Sequence, residues 1–185
     1  MRRYAGSAAA LVVLAVLGWR AARRWPPASV SGAEAQAKLH VLEDILRSRN
    51  DNDPRLDRDF NVLPEETKAL VRKKYRELPP ERRNELGTIV YLLGKNIRTV
   101  QDWEFLGQVA AEPPCLGLAD CSRAANPPDN AVTLAYPALV AVKQAQRVLG
   151  ETPDSPEALR VIAAAKGSKV LAVRRLAAMK SNEMY

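Results

Sequence analysis

The chain has 185 residues, which is enough for one globular domain and a membrane-anchoring segment. Apolar residues make up 47% and charged residues 26% of the sequence, a balance that excludes global disorder. Aromatic residues are only 5%, and alanine and leucine recur along the whole chain. This composition favours packed helices over sheets.

The formal net charge of +7 comes mainly from the first 25 residues, which hold five arginines and no acidic residue. The first acidic residue is Glu34, and without those five arginines the 28 basic residues fall to 23, against 21 acidic ones. A basic protein often binds nucleic acid. Here the excess flanks an apolar stretch and indicates membrane topology and headgroup contact, so we expect no nucleic-acid partner.

An uncharged stretch of 15 residues runs from Ala5 to Trp19. As a helix it would rise about 22 Å, which is shorter than the roughly 30 Å hydrocarbon core. Flanking arginines can extend it by snorkelling to the headgroups, and tryptophans suit the interface. The predicted anchor comprises Ala5, Leu11, Val12, Val13, Leu14, Val16, Leu17 and Trp19, with interface flanks at Arg2, Arg3, Arg20, Arg23, Arg24 and Trp25.

Two other fates of this segment are open. A cleaved secretory signal has the same basic start and apolar run, but Arg20, Arg23 and Arg24 stand where cleavage would fall. An organelle transit peptide is also rich in arginine and free of acidic residues, although this stretch is too apolar for a clean amphipathic one. We predict a retained, single-pass signal anchor, whose orientation is weakly specified because arginines lie on both sides.

Two cysteines, Cys115 and Cys121, lie in a loop rich in proline and glycine. Their spacing is compatible with a small-ring disulfide, and disulfides persist in oxidising compartments. We therefore predict a disulfide and an extracytoplasmic domain, periplasmic or equivalent; two free thiols in a cytosolic loop are the alternative. A zinc site lacks ligands because His40 is the only histidine, and we predict no metal or cofactor.

The remainder of the chain is predicted to form seven short helices joined by brief links, with no alternating run typical of a strand. Local signals mark where these helices start and stop. The start signals are the Ser31–Glu34 capping box, Pro64, the Thr99–Asp102 capping box, Ser155 with Pro156, and Ser168; the stop signals are the segment 50–54, Pro79 with Pro80, Gly94, Gly150 and Gly167.

The fifth predicted helix spans roughly Ala131 to Leu149 and contains Pro137, which should kink or divide it. Helical spacing of apolar residues indicates which side chains face the core. The residues predicted to face inward are Leu39, Leu42, Ile45, Leu46, Leu70, Val71, Tyr75, Leu86, Ile89, Val90, Leu93, Trp103, Phe105, Leu106, Val109, Leu159, Ile162, Val170, Leu171, Val173 and Leu176.

These elements predict an all-α fold class: a single transmembrane or signal-anchor helix followed by a bundle or short superhelix of about seven helices. The predicted organisation is an anchor over residues 1–25, a linker over 26–30, a helical domain over 31–180 and a tail over 181–185. The cysteine-containing loop occupies residues 112–130 of the domain, and loops of this length are often functional.

The last predicted helix pair, SPEALRVIAAAKGSKVLAVRRLAAMK, resembles a HEAT-type helical repeat. The Val173–Arg174 step followed by Ala177 is similar to the second helix of such a repeat, and the stretch from Ala131 to Leu149 is similar to a first helix. The segment 69–72 is a fainter match. The resemblance covers roughly a third of the chain and implies a surface for protein partners, not catalysis.

The chain contains no nucleophile elbow, His-Glu-x-x-His helix, phosphate-binding glycine loop or dinucleotide fingerprint. We therefore expect no enzymatic activity and no small-molecule substrate. The sequence predicts a membrane-anchored, extracytoplasmic protein-interaction or scaffold protein. The alternative is an accessory structural subunit of a larger membrane assembly, in which small residues such as Ala5, Gly6 and Ser7 would allow close helix packing.

Overall fold

The computed structural model describes residues 32–113 and 131–179, and these two ranges form helices with no strand. This confirms the predicted all-α class. The nine helices of the described ranges are α1 (Gly32–Ser48), α2 (Arg55–Arg58), α3 (Glu65–Glu77), α4 (Arg83–Lys95), α5 (Val100–Ala110), α6 (Ala131–Leu134), α7 (Tyr136–Glu151), α8 (Pro156–Lys166) and α9 (Leu171–Ala178).

The predicted anchor over residues 1–25, the linker over 26–30, both cysteines and the tail over 181–185 lie outside the described residues. In the ranges 32–113 and 131–179, no helix combines the length and the apolar character needed to cross a membrane.

Seven of the described helices are eight residues or longer, and they correspond to the seven predicted ones. The two others, α2 and α6, are single turns of four residues. Pro137 divides the fifth predicted helix into α6 and α7 and lies in the first turn of α7, where a proline costs no helical hydrogen bond.

Helix α7 lies at the centre of the domain and packs against α4, α5, α8 and α9. Its buried face is made largely of alanine and valine, which let neighbouring helices approach closely. On the N-terminal side, α1 packs against α3, and α3 packs against α4. The most deeply buried large apolar side chains are Leu42, Ile45, Phe60, Leu63, Val71, Ile89, Val90, Leu92, Leu93, Leu106 and Val109.

Two glycines of α4 set its contact with α7. A Cβ atom at Gly87 would lie 2.2 Å from Cε1 of Tyr136, and one at Gly94 would lie 2.3 Å from Cγ of Gln144. The prediction that Gly94 caps α4 is therefore wrong, since the helix continues to Lys95. The reason for glycine at this position is the space that Gln144 occupies, not the backbone conformation of a helix end.

Several predicted helix ends are confirmed. Thr99 and Asp102 form the capping box of α5, with both reciprocal hydrogen bonds present. Ser155 caps α8 by accepting a hydrogen bond from the backbone N–H of Ala158 at 3.3 Å, and Gly167 ends that helix. These signals are local in sequence, which is why they could be identified without knowledge of the tertiary fold.

Other predictions about the C-terminal helices are wrong. Leu159 and Leu171 were expected to face inward, yet each is 47% exposed. The last helix also begins at Leu171 rather than at Ser168, and its Leu176 is only partly buried. Gly150 does not cap α7, because the helix continues to Glu151. The buried stripe of α8 comprises Ala158, Val161, Ile162 and Ala165, and Leu159 lies about 100° around the helix from Ala158, outside this stripe.

Three residues of the N-terminal helices are less buried than the sequence predicts. Leu39, Leu70 and Trp103 were expected to be buried, and each is only partly buried. Of these, Trp103 packs against the core and keeps one side in solvent. Phe105, by contrast, is buried and packs edge-on against Tyr75, with ring centroids 5.1 Å apart.

Candidate functional site

A groove of about 640 Å³ opens on the surface between the segment 51–57, helix α4 and helix α7, with Leu176 of α9 at its edge. We call it the tyrosine groove. Its apolar and aromatic lining comprises Leu56, Tyr91, Tyr136, Leu139, Val140 and Leu176. A concave surface of this size with mixed apolar and polar walls is typical of a binding site.

Two tyrosines are the most prominent side chains of the tyrosine groove. Tyr91 of α4 is 38% exposed and Tyr136 of α7 is 37% exposed, so each presents part of its ring to solvent. The ring of Tyr136 lies against Gly87, because only a residue without Cβ leaves room for it there. Lys95 holds its ammonium group 5.8 Å from the ring centroid of Tyr91. Partly exposed tyrosines are enriched at protein interfaces, where they supply apolar area and a hydrogen-bonding hydroxyl.

The two walls of the groove differ in charge. The wall formed by residues 51–57 carries Asp51, Asp53 and Asp57, whereas the α7 wall carries a single charged residue, Lys143. The Asp57 carboxylate is 74% exposed and pairs with Lys95 at 2.9 Å, an exposed contact that contributes little to stability. Because Asp53 pairs with Arg55 and Asp57 with Lys95, the charges of the groove without an ion-pair partner among the described residues are Asp51 on one wall and Lys143 on the other.

Asp53 is held in place in the acidic wall by hydrogen bonds from Arg55. Its carboxylate accepts two hydrogen bonds from the Arg55 guanidinium, at 3.0 and 2.7 Å, and a third from the Arg55 backbone N–H. These bonds lower the pKa of Asp53 to about 2, so this carboxylate stays ionised across the physiological range. Asp53 thus stabilises the start of the short helix α2 and keeps the negative wall in place.

A buried amide fixes the segment that follows α2. Asn96 at the end of α4 donates from Nδ2 to the carbonyl of Phe60 at 3.0 Å, and its Oδ1 accepts from the backbone N–H of Leu63 at 2.8 Å. Nδ2 also donates to the carbonyl of Leu92. Because Asn96 is only 3% exposed, these bonds hold segment 60–63 to α4 and so position the acidic wall of the groove.

Next to Asn96 lies a buried ionic cluster. The side chain of Lys68 is 0% exposed; its Nζ lies 2.5 Å from Oδ2 of Asp102, 2.6 Å from Oε1 of Glu65 and 3.2 Å from the carbonyl of Asn96. Arg72 binds the other oxygen of Asp102 at 2.8 Å. All three donor positions of the buried ammonium group are thus used, and the cluster is suited to holding α3, α4 and α5 together rather than to chemistry.

Burial raises the pKa of Asp102, but the hydrogen bonds from Lys68 and from the backbone N–H groups of Arg98 and Thr99 outweigh it. The net result is a pKa below the ordinary value, so Asp102 is ionised at neutral pH. Asp102 is thus ionised and only 1% exposed, and its role is to hold α3 and α5 together.

A second polar contact lies where α5 leads into the cysteine-containing segment. Both carboxylate oxygens of Glu112 lie within hydrogen-bond distance of the Tyr75 hydroxyl, at 3.0 and 2.9 Å, and Arg83 approaches the same carboxylate at 3.8 Å. Burial raises the pKa of Glu112 above its ordinary value, although the hydrogen bond from Tyr75 and the charge of Arg83 oppose this. Burial also raises the pKa of Tyr75, so its hydroxyl remains protonated and donates.

A smaller cavity of about 300 Å³ lies between the end of α1 and the start of α4. In its lining, Glu85 accepts from Arg82 at 3.1 Å and lies 3.8 Å from Arg49. Arg82 also donates to the carbonyl of Leu46. This cavity has about half the volume of the tyrosine groove and no aromatic side chain among the described residues of its lining, so it offers less apolar surface to a partner.

The site residues predicted from sequence and the tyrosine groove do not overlap. The predicted disulfide pair, anchor and interface flanks lie outside the described residues. Sequence reasoning missed the groove because its walls come from segments that are far apart in the chain. The available signal was a pair of tyrosines, Tyr91 and Tyr136, in a sequence with few aromatic residues.

Comparisons of the chain with protein-family models, with curated proteins and with solved structures gave no match.

Proposed function

We propose that this protein is a membrane-anchored interaction protein whose helical domain binds a segment of a partner protein in the tyrosine groove. The observation that carries this proposal is the groove itself, with two partly exposed tyrosines above a lining of leucine and valine. Its lining in the described residues contains no histidine, cysteine or serine, and its tyrosines, aspartates and amides suit binding better than nucleophilic chemistry.

The charges of the groove define the chemistry of that partner. A segment that presents an aliphatic or aromatic side chain to Leu56 and Leu139 would fill the apolar floor. A lysine or arginine next to it would meet Asp51, which forms no ion pair with a described residue, and could replace Lys95 as the partner of Asp57 and of the Tyr91 ring. The proposed ligand is therefore a short apolar segment with an adjoining basic residue.

The location of the domain is a proposal based on the sequence. The arginine-flanked apolar segment supports a single-pass anchor, and the closely spaced Cys115 and Cys121 support an oxidising, extracytoplasmic location. The resemblance of the C-terminal helices to a HEAT-type repeat also supports a protein-binding role, because such repeats present extended faces to partners.

Photo-crosslinking in intact cells tests the groove. We would place a photoreactive phenylalanine derivative at Tyr91 or at Tyr136, and at Val100 as the control, a residue 65% exposed on another helix. We expect the two groove positions to crosslink the same protein and Val100 not to. Mass spectrometry should place the crosslink on a segment with a basic residue beside an apolar one, and the charge reversal Asp57→Lys should reduce its yield.

Other outcomes would remove the proposal. Crosslinking to the same protein from all three positions would indicate non-specific proximity. Crosslinking from none of them would mean that the groove is not a protein-binding site. A stoichiometric complex that survives purification while Tyr91 and Tyr136 give no crosslink would favour the accessory-subunit alternative.

A further inference from the structure

The positive charge of the described domain is concentrated at its C-terminal end. Residues 32–113 hold 14 basic and 15 acidic residues, a near balance. Residues 156–179, which form α8 and α9, hold five basic residues and a single acidic one, Glu157. Helices α8 and α9 therefore carry all of the excess positive charge of residues 32–113 and 131–179.

The basic residues lie on the outer sides of these two helices. On α8, Arg160 and Lys166 are exposed and face away from the buried stripe. On α9, Arg174 and Arg175 are exposed, opposite the buried Val173 and Ala177. The name basic face is used below for the exposed leucines, lysines and arginines of this helix pair, which are Leu159, Arg160, Lys166, Lys169, Leu171, Arg174 and Arg175.

Most of this positive charge is not neutralised within the described part of the chain. Arg160 pairs with Glu157 at 3.3 Å, on a side chain that is 74% exposed. Arg174 donates to the carbonyl of Ser168 at 2.7 Å, which leaves its charge unbalanced. No described carboxylate forms an ion pair with Lys166, Lys169 or Arg175. A surface of this kind attracts a polyanion.

Exposed leucines accompany the cations. Leu159 lies beside Arg160, and Leu171 begins the helix that carries Arg174 and Arg175. This combination of basic and large apolar side chains is typical of surfaces that lie on an anionic membrane, where cations meet headgroups and leucines enter the interface. Nucleic acid would gain nothing from exposed leucines, whereas a lipid surface would.

We propose that the basic face binds the anionic phospholipid headgroups of the membrane that holds the anchor. This inference rests on the anchoring part of the proposed function. Helix α1 begins at Gly32, only seven residues after Trp25, the last residue of the predicted anchor. Even a fully extended connection of that length reaches only about 25 Å, so the domain would stay close to the headgroups.

Hydrogen exchange on the full chain tests the inference. The protein is reconstituted in vesicles of pure phosphatidylcholine and in vesicles with roughly a third phosphatidylglycerol. We expect amide exchange in peptides from residues 156–179 to be at least about twofold slower on the anionic vesicles, and this difference to vanish in about 0.5 M salt. Peptides from α3 should exchange equally on both.

Two matched variants assign the effect to the basic face. The quadruple variant K166Q/K169Q/R174Q/R175Q should lose the slowing. The control variant R47Q/R58Q/K73Q/R76Q removes the same number of exposed cations from α1, α2 and α3, and should keep it. Thermal melting of both variants in zwitterionic vesicles confirms that they fold.

Equal exchange on the two vesicle types, or slowing that survives in the quadruple variant, would overturn the inference. So would slowing produced by added duplex DNA and not by anionic lipid, which would assign the face to nucleic acid. Retention of the chain after alkaline extraction of zwitterionic vesicles reports on the anchor separately. A chain that is extracted disproves anchoring, and mixing it with both vesicle types then tests the basic face by itself.

Discussion

Lys68 of α3 and Asp102 of α5 are joined by a contact of 2.5 Å between Nζ and Oδ2, although 34 residues separate them in the chain. Asp102 is also the acidic member of the capping box of α5. One carboxylate therefore starts a helix and binds a buried cation of another helix, which links the local structure of α5 to its packing against α3.

Removal of the buried cation should destabilise the domain strongly. In Lys68→Met, Asp102 keeps Arg72 but loses its closest partner, and we expect the free energy of unfolding to fall by about 3 kcal/mol. Urea denaturation measures this. Lys73→Met, on the exposed side of the same helix, is the control and should change stability by less than about 0.5 kcal/mol. A similar effect of both substitutions would show that the buried pair contributes nothing beyond a surface lysine.

The glycines of α4 and α5 should respond oppositely to alanine. Gly87→Ala places a methyl group against the Tyr136 ring and should cost about 1 to 3 kcal/mol, because the ring must move. Gly107→Ala in α5 meets no atom within 4 Å, so the better helix propensity of alanine should stabilise the protein by about 0.5 to 1 kcal/mol.

Thermal melting measures both effects on stability. Gly87→Ala should also lower the yield of photo-crosslinking from Tyr91 if Tyr136 shapes the tyrosine groove. An unchanged crosslinking yield in a folded Gly87→Ala variant would show that the position of the Tyr136 ring does not affect binding in the tyrosine groove.

The buried carboxyl of Glu112 should make stability depend on pH. Its pKa is raised in the folded protein, so the folded state binds its proton more readily than the unfolded state does. The carboxylate therefore destabilises the fold above its folded pKa, and this cost is relieved as the pH falls through that pKa towards the unfolded value.

The variant Glu112→Gln keeps an acceptor for the Tyr75 hydroxyl and removes the titrating group. We expect its stability relative to the parent to be greatest near pH 7.5 and to decline towards pH 5. The free energy of unfolding measured in urea at several pH values gives this difference. Glu104→Gln, on the exposed side of α5, is the control, and the same trend in both variants would exclude Glu112 as its source.

The location of the domain can be read from its thiols. A membrane-impermeant maleimide added to intact cells should label Cys115 and Cys121 only after reduction, if the domain is extracytoplasmic and the pair is oxidised. Labelling that needs no reductant, and occurs only after the membrane is permeabilised, would place a reduced domain in the cytosol and remove the argument for export. Both cysteines lie in one tryptic peptide, residues 99–123, so fragmentation of that peptide by tandem mass spectrometry shows which cysteine has reacted.

Much of the helical structure could be predicted because its signals are local. Thr99 with Asp102, and Ser155 with Pro156, are separated by at most three residues, and each pair marks a helix start in the structure. The short helix α2 was missed because its four residues follow a cluster of turn-forming residues and present a single buried apolar side chain, Leu56.

The tertiary features could not be predicted in the same way. The apolar spacing predicts that Leu159 faces inward, but in an alanine-rich helix more than one face has this spacing. The face that is buried is that of Ala158, Val161, Ile162 and Ala165. The tyrosine groove depends on Gly87 meeting Tyr136, which lies 49 residues further along the chain. Pairs of this kind join residues that are far apart in the chain, so no local pattern in the sequence indicates them.

The central position of α7 has a consequence for synthesis on the ribosome. Helices α4 and α5 are made well before α7, yet both pack against it, and the segment 114–130 must be translated in between. A nascent chain that ends before residue 136 therefore exposes apolar faces that have no intramolecular cover. Until α7 has emerged into the compartment where the domain folds, α4 and α5 stay without this cover, and the chain is prone to aggregate.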